Sequence, residues 1–229
     1  MGKSKDLATG AAYQDQTESD TRYVNTAGDS MTGELLVRRA RSNTAGDAAL
    51  TIHPSDTTVS YGMRIDQNTN SLNFDQVNNN TTKMSINSSG YVTNPYQPAF
   101  NAYRNSSLAI SGLTSLVFNT VRSNASSSYN NSTGVFTAPV DGQYLFNHKG
   151  LYYNMSTSEF CDLYAYVNGS ERTRYEQTGN GGGHVQVDYS EIVYLSANDT
   201  FRLYANNRSS GNGFNMYNNE NHFSGRLLG

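Results

Sequence analysis

The 229-residue chain contains one cysteine, Cys161, four prolines and no tryptophan. A lone cysteine excludes an intrachain disulfide framework and a multi-cysteine zinc site. Charge is scarce too: Asp, Glu, Lys and Arg make up 15% of the residues, against about 25% in an average globular chain. Lysine occurs only at Lys3, Lys5, Lys83 and Lys149, and the net charge is −3. Neither nucleic acid nor an anionic membrane surface is therefore an expected partner through bulk charge. No run of about 18 apolar residues occurs, so no membrane insertion is expected. The first ten residues carry lysines but lack the apolar core of a secretory signal. Leu, Ile, Val and Phe together fall just below the roughly 20% level that marks an aliphatic-poor chain.

What fills the gap is Asn, Ser, Thr and Gly, together with 17 Tyr and 9 Phe. Disorder requires high net charge and few aromatics, and this chain has the reverse. It is expected to fold, with a core too thin for one copy and shared between copies.

Along the chain, residues 1–34 are polar and show no apolar period. The run Asn25-Thr26-Ala27-Gly28-Asp29 recurs as Asn43 to Asp47, each copy a turn ahead of a strand-like stretch. Arg38, Arg39 and Arg41 form a small basic cluster that reads as a solvated strand end. From 48 to 93, short alternating runs predict short strands: Leu50/Ile52, Met63/Ile65, Leu72/Phe74, Met84/Ile86 and Tyr91. Each run offers about two inward side chains, which suits strands that pack against partner chains. Pro95 and Pro98 mark a boundary. Beyond it period two strengthens. Tyr144, Phe146 and His148 share one face. Cys161, Leu163, Ala165 and Val167 alternate with Phe160, Asp162, Tyr164 and Tyr166. Val185, Val187, Tyr189, Val193 and Leu195 share a parity. No convincing helix appears, and many short strands with Gly/Asn turns predict an all-β sandwich or jelly roll.

Candidate chemistry is sparse. Gly179 to Gly183 lacks the helix and the Lys-Ser/Thr of a phosphate loop and reads as a hairpin loop. Asp66-Gln67-Asn68-Thr69-Asn70 has the oxygen spacing of a calcium loop, but Ser71 and Val77 replace the Gly and Glu that such a loop needs. A turn between strands is the better reading. His53, His148, His184 and His222 have no metal spacing, and His148 reads as a packed residue. Cys161 lies on an apolar parity and is expected to be inert. No nucleophile has a recognisable base, so no catalytic residue is expected.

The loops 175–184 and 208–220 combine Tyr, Phe and His with Asn, Ser and Gly, the composition of adaptable recognition surfaces. Tyr175, Asn180, His184, Arg208, Asn212, Phe214, Tyr217, Asn218 and Asn219 are the receptor-binding candidates. Contacts between copies plus ordinary turns are an equal reading of the same loops. Phe100, Phe118, Phe136, Tyr144, Phe146, Phe223 and Leu227 are the core or intersubunit candidates.

Residues 98–229 resemble the globular domain of the C1q/tumour-necrosis-factor superfamily. The resemblance rests on Pro98-Ala99-Phe100-Asn101-Ala102, Val117-Phe118, Asn124, Tyr129, the block Gly134 to Phe146, Asn168-Gly169, the Leu195 to Asp199 step and the terminal Phe223-Ser224-Gly225-Arg226-Leu227-Leu228. In place of a collagen stem, Asp20 to Leu35 resembles a motif of bacteriophage tail fibres: Arg22-Tyr23-Val24, Gly28-Asp29 and Met31-Thr32-Gly33 in that order. Together the resemblances imply a homotrimer with an attachment segment at 1–34, a thin β-rich shaft at 35–95 and a jelly-roll head at 96–229. They imply a non-enzymatic virion fibre whose partners are itself, a tail or baseplate protein, and a glycan or protein on the host surface. No cofactor is expected. Some such heads hold calcium near the trimer axis, and Asp188 or Glu191 would serve only if their strand lines it. A purely structural virion component and a secreted binding or signalling protein are the alternative readings.

Overall fold

The computed structural model describes residues 48–52, 61–76, 79–181, 183–208 and 213–229. The repeat at 25–29 and 43–47, the arginine cluster at 38–41, the attachment segment 1–34 and Asn212 lie outside them.

Strands β1 (Ala48–Ile52), β2 (Tyr61–Asp66), β3 (Ser71–Gln76), β4 (Thr81–Ile86) and β5 (Val92–Thr93) form one sheet in sequence order. Short turns join β2 to β3 and β4 to β5. Asp66 is an ordinary turn residue: its carboxylate accepts from the amides of Asn68 (2.9 Å) and Thr69 (3.2 Å), and Asn70 closes the turn at φ 50°. Those amides, above all that of Thr69, hold the Asp66 carboxyl below its usual range.

A turn at 94–97 leads into a two-sheet sandwich. Its strands are β6 (Ala99–Tyr103), β7 (Leu108–Ile110), β8 (Thr114–Ser115), β9 (Thr120–Ala125), β10 (Tyr129–Asn130), β11 (Val135–Thr137), β12 (Gly142–Tyr153), β13 (Phe160–Val167), β14 (Ser170–Thr178), β15 (Val185–Leu195), β16 (Thr200–Asn207), β17 (Phe214–Met216) and β18 (His222–Leu227). One sheet runs β10-β11-β16-β13-β14, with β8 also on β16. The other is built on β12, which pairs with β15 on one side and with β17 and β18 on the other. It continues through β6 to β9, while β7 pairs with β17. All the pairings are antiparallel, and the architecture is an all-β jelly roll.

Period two explains why these strands form a sandwich. Along β12 the even positions Tyr144, Phe146, His148 and Tyr152 point into the core and the odd ones outward. Along β15 Val185, Val187, Tyr189, Val193 and Leu195 do the same. The Asn168-Gly169 pair, both at positive φ, closes the two-residue hairpin between β13 and β14. β13 departs from the expected alternation, since Asp162 and Tyr164 are buried on its second face. Arg208 explains it: the guanidinium lies 3.2 Å from the Asp162 carboxylate and covers that face beside Phe160.

Aromatic rings fill the core. Phe146 stacks on Phe201 at 3.9 Å between centroids, and Phe100 on Tyr129 at 4.5 Å. Phe100, Phe118, Phe136, Tyr144, Phe146 and Phe223 are all buried, and Leu227 packs against them half-buried. Gly225 makes this possible: a methyl there would lie 2.6 Å from the Phe100 ring and 2.7 Å from that of Phe146. His148 is buried in the same core, its Nδ1 2.9 Å from the His222 carbonyl. Burial outweighs that carbonyl and lowers the His148 pKa to about 4. Cys161 is buried among apolar side chains, which pushes its thiol up and leaves it unreactive.

Candidate recognition surface

The chain enters the sandwich at Ala99, which pairs with Arg226; β6 then runs to Tyr103, which pairs with His222. The 12-residue β12 starts at the same end and finishes at Tyr153, about 35 Å away at 3.3 Å per residue. Three rings meet at that far end. Tyr153 and Tyr217 are edge-to-face at 5.2 Å, His184 and Tyr217 at 5.4 Å, and Tyr153 and His184 are tilted at 6.2 Å. They come from the end of β12, the segment before β15 and the residue after β17. β-pairing brings them together: Tyr152 faces both Val185 and Met216. The Tyr217 amide also donates to the Leu151 carbonyl at 2.8 Å.

Buried polar groups brace this end. Asn221 is fully buried; its Oδ1 accepts from the Leu151 amide at 2.9 Å, and its Nδ2 donates to the carbonyls of Leu151 and Tyr217. Asn219 takes a positive φ of 60°, and its amide donates to the Arg104 carbonyl at 2.8 Å. Asn180 ties its own loop, donating to the His184 carbonyl (3.1 Å) and accepting from the Gly183 amide (3.1 Å). Glu159 is buried beneath, accepting from the Ser156 amide at 2.6 Å and from Asn207 at 3.3 Å. The result is a set of fixed rings rimmed by amides. Tyr217 is 38% exposed, and Asn218 and Asn219 are exposed beside it. Such a surface offers ring faces for apolar contact and amides for hydrogen bonding.

Of the nine candidate residues, Asn180, His184, Tyr217, Asn218 and Asn219 converge here. Tyr175 does not: it is half-exposed on β14 and stands edge-to-face on Tyr189 at 5.5 Å. Arg208 is engaged by two carboxylates, Asp162 and Glu176. Phe214 is corrected outright. It is buried in the core against Tyr152, because the Gly/Asn-rich segment around it contains a short strand instead of a continuous loop. The 179–184 segment is corrected as well: it joins two different sheets, from β14 to β15, and is not a hairpin. Sequence reasoning misses Tyr153. Its signal is present all the same, since alternation along β12 places Tyr152 inside and Tyr153 outside.

A second surface is the outer face of β15-β12-β18. Leu145 and Ile192 oppose each other there, Ile192 and Tyr194 are well exposed, and Asn147, Lys149, Asp188, Ser190, His222 and Ser224 line a shallow groove further along. Glu191 lies on the inward parity, engaged by Arg172 (2.9 Å), Thr173 (3.0 Å) and the Tyr189 hydroxyl (2.7 Å). Among the described residues no three His, Cys, Asp or Glu side chains are grouped to hold a metal ion.

The C1q domain profile matches residues 99–228. The globular domain of a zebrafish complement 1qA protein is similar at 19% identity over 58% of this chain and 98% of that one, with a TM-score of 0.47. The Eiger TNF of S. frugiperda is similar at 12% identity over 58% and 93%, with a TM-score of 0.46. Murine APRIL is similar at 9% identity over 58% and 99%, with a TM-score of 0.44. No curated protein matches the chain.

Proposed function

The chain belongs to the C1q domain family, and from that premise we propose that it is a trimeric bacteriophage fibre that attaches the virion to its host. Domains of this family form homotrimers and are generally non-enzymatic. In this reading residues 1–34 dock to a tail or baseplate protein, 35–95 form the shaft and 96–229 the head, and the protein resides in the virion. The tail-fibre-like run from Asp20 to Leu35 supports the virion assignment. The outer face of β15-β12-β18, with Leu145, Ile192 and Tyr194, is the surface that the copies share in the head.

One observation carries the attachment role. The Tyr153/His184/Tyr217 cluster lies at the end of the head away from where the chain enters it. A tip is where a fibre meets its target, and three weak sites on one trimer act together through avidity.

The test is binding of the full-length protein to intact cells of the bacterial strain that carries or propagates the phage. Wild type is expected to bind and to slow phage adsorption. Tyr217→Ala is expected to lower cell binding at least tenfold with the melting temperature unchanged. Wild-type protein that neither binds cells nor competes with the phage rejects the attachment role.

A further inference from the structure

The first sheet has two unlike faces. On one, residues paired across strands form two apolar rows. Ile65 faces Leu72, Leu72 faces Ile86 and Ile86 faces Val92; beside them Met63 faces Phe74 and Phe74 faces Met84. Directly opposed residues project from the same side of a sheet, so these seven side chains and Tyr61 make one continuous apolar surface. Among the described residues no second layer lies on it: Tyr61 is 55% exposed, Met63 42%, Ile65 47% and Val92 56%, while Leu72, Phe74, Met84 and Ile86 between them are half-buried.

The opposite face needs nothing more. Asp75 accepts from Arg64 Nε at 2.6 Å and from the Thr82 hydroxyl at 2.8 Å; Arg64 also reaches Asp66 at 3.2 Å. Asn73 Oδ1 accepts from the hydroxyls of Ser71 (3.1 Å) and Ser85 (2.7 Å). Ser71, Asn73 and Asp75 are buried in this network. The polar side is thus satisfied within the chain, while much of the apolar side is left to water.

We propose that the apolar face of β2–β5 is a second contact between copies of this chain, with three such faces closing on one another inside the trimer. The inference rests on the trimeric reading given above. Its physical ground is the size of the face and the way the sheet is tethered. Three six-residue strands about 4.8 Å apart and some 20 Å long, with the two residues of β5 beside them, present roughly 300 Å² per copy, well under half of the 800 Å² that a standard partner surface buries. So small a face does not hold a free partner. It suffices for copies that the heads already keep together, where the local concentration reaches the millimolar range. The tether is short: Lys83 Nζ sits 4.0 Å over the Tyr96 ring, and Gln97 Nε2 donates to the Leu227 carbonyl at 3.0 Å. The face has no charged member to resist its own copy.

The full-length chain suits a thiol test, because its one cysteine is buried. Ile65→Cys would be oxidised under native conditions beside Ser88→Cys, which lies in the exposed β4–β5 turn. For Ile65→Cys we expect a trimeric native mass and covalent dimers whose yield does not change on dilution. We also expect labelling by a water-soluble maleimide at least tenfold slower than for Ser88→Cys. A trimer in which the thiol of Ile65→Cys stays unlinked and labels as fast as that of Ser88→Cys overturns the proposal. So does a trimer in which the Ile65→Cys thiol is protected but never linked, for then another segment or partner covers the face. A single-chain native mass instead rejects the trimeric reading itself.

Discussion

The sandwich and the first sheet use the same period-two alternation to opposite ends. In the sandwich the apolar side of each sheet finds the other sheet, and Phe100, Phe146, Phe201 and Phe223 close on one another within a single chain. In the first sheet the described strands have no second layer, so Met63 and Ile65 remain at the surface and the polar side carries the buried hydrogen bonds. Hence the sandwich is stabilised by apolar burial. The first sheet is left with hydrogen bonds, each contributing only about 1 kcal/mol net, and its apolar side requires neighbours.

The largest expected contrast is truncation. Phe146→Ala removes the central ring of the sandwich and is expected to cost about 3–5 kcal/mol. Ile65→Ala is expected to leave the denaturation midpoint of the sandwich in place. Equal losses from the two variants in chemical denaturation would break the comparison.

Acid comes next. The folded pKa of His148 is depressed to about 4 from 6.5, so between those values the unfolded chain takes up a proton that the folded one refuses. Its stabilising contribution is complete above about pH 6.5 and declines as the pH falls towards 4, by about 3 kcal/mol in all. His148→Gln is expected to flatten that part of the stability–pH curve, read by denaturation at pH 7, 5 and 4. Hydrogen exchange in the first sheet is expected to be indifferent to the same substitution.

The smallest effect sharpens the other side. Asn73→Ala strands the Ser85 hydroxyl, leaves that of Ser71 with Thr69 alone, and is expected to cost about 1–2 kcal/mol. The loss is local, and amide exchange across β3 and β4 detects it without a shift in the sandwich transition.

Much of the fold is legible in the sequence where one strand decides the matter. The inward parity of β12 and β15 and the Asp66 turn follow from local spacing and turn chemistry. The misreadings fall where a distant segment intervenes. Asp162 sits on the face that alternation assigns to solvent, and it is buried because Arg208, 46 positions later, covers it. Phe214 sits among Gly and Asn that signal a loop, and it is core because β7 and β12 reach it from both sides. The recognition candidates come from the right loops, yet of the eight that are described only five meet.

By itself, then, the sequence determined the all-β character, the strand parities and the poverty of aliphatic core. Those depend on residue type and nearest neighbours. Tertiary structure decided which rings meet: Tyr153, His184 and Tyr217 lie up to 64 positions apart, and only the pairing of β12 with β15 and β17 joins them. It also decided which apolar rows stay open, because whether a sheet face is covered depends on the presence of a second layer, and no strand encodes that alone.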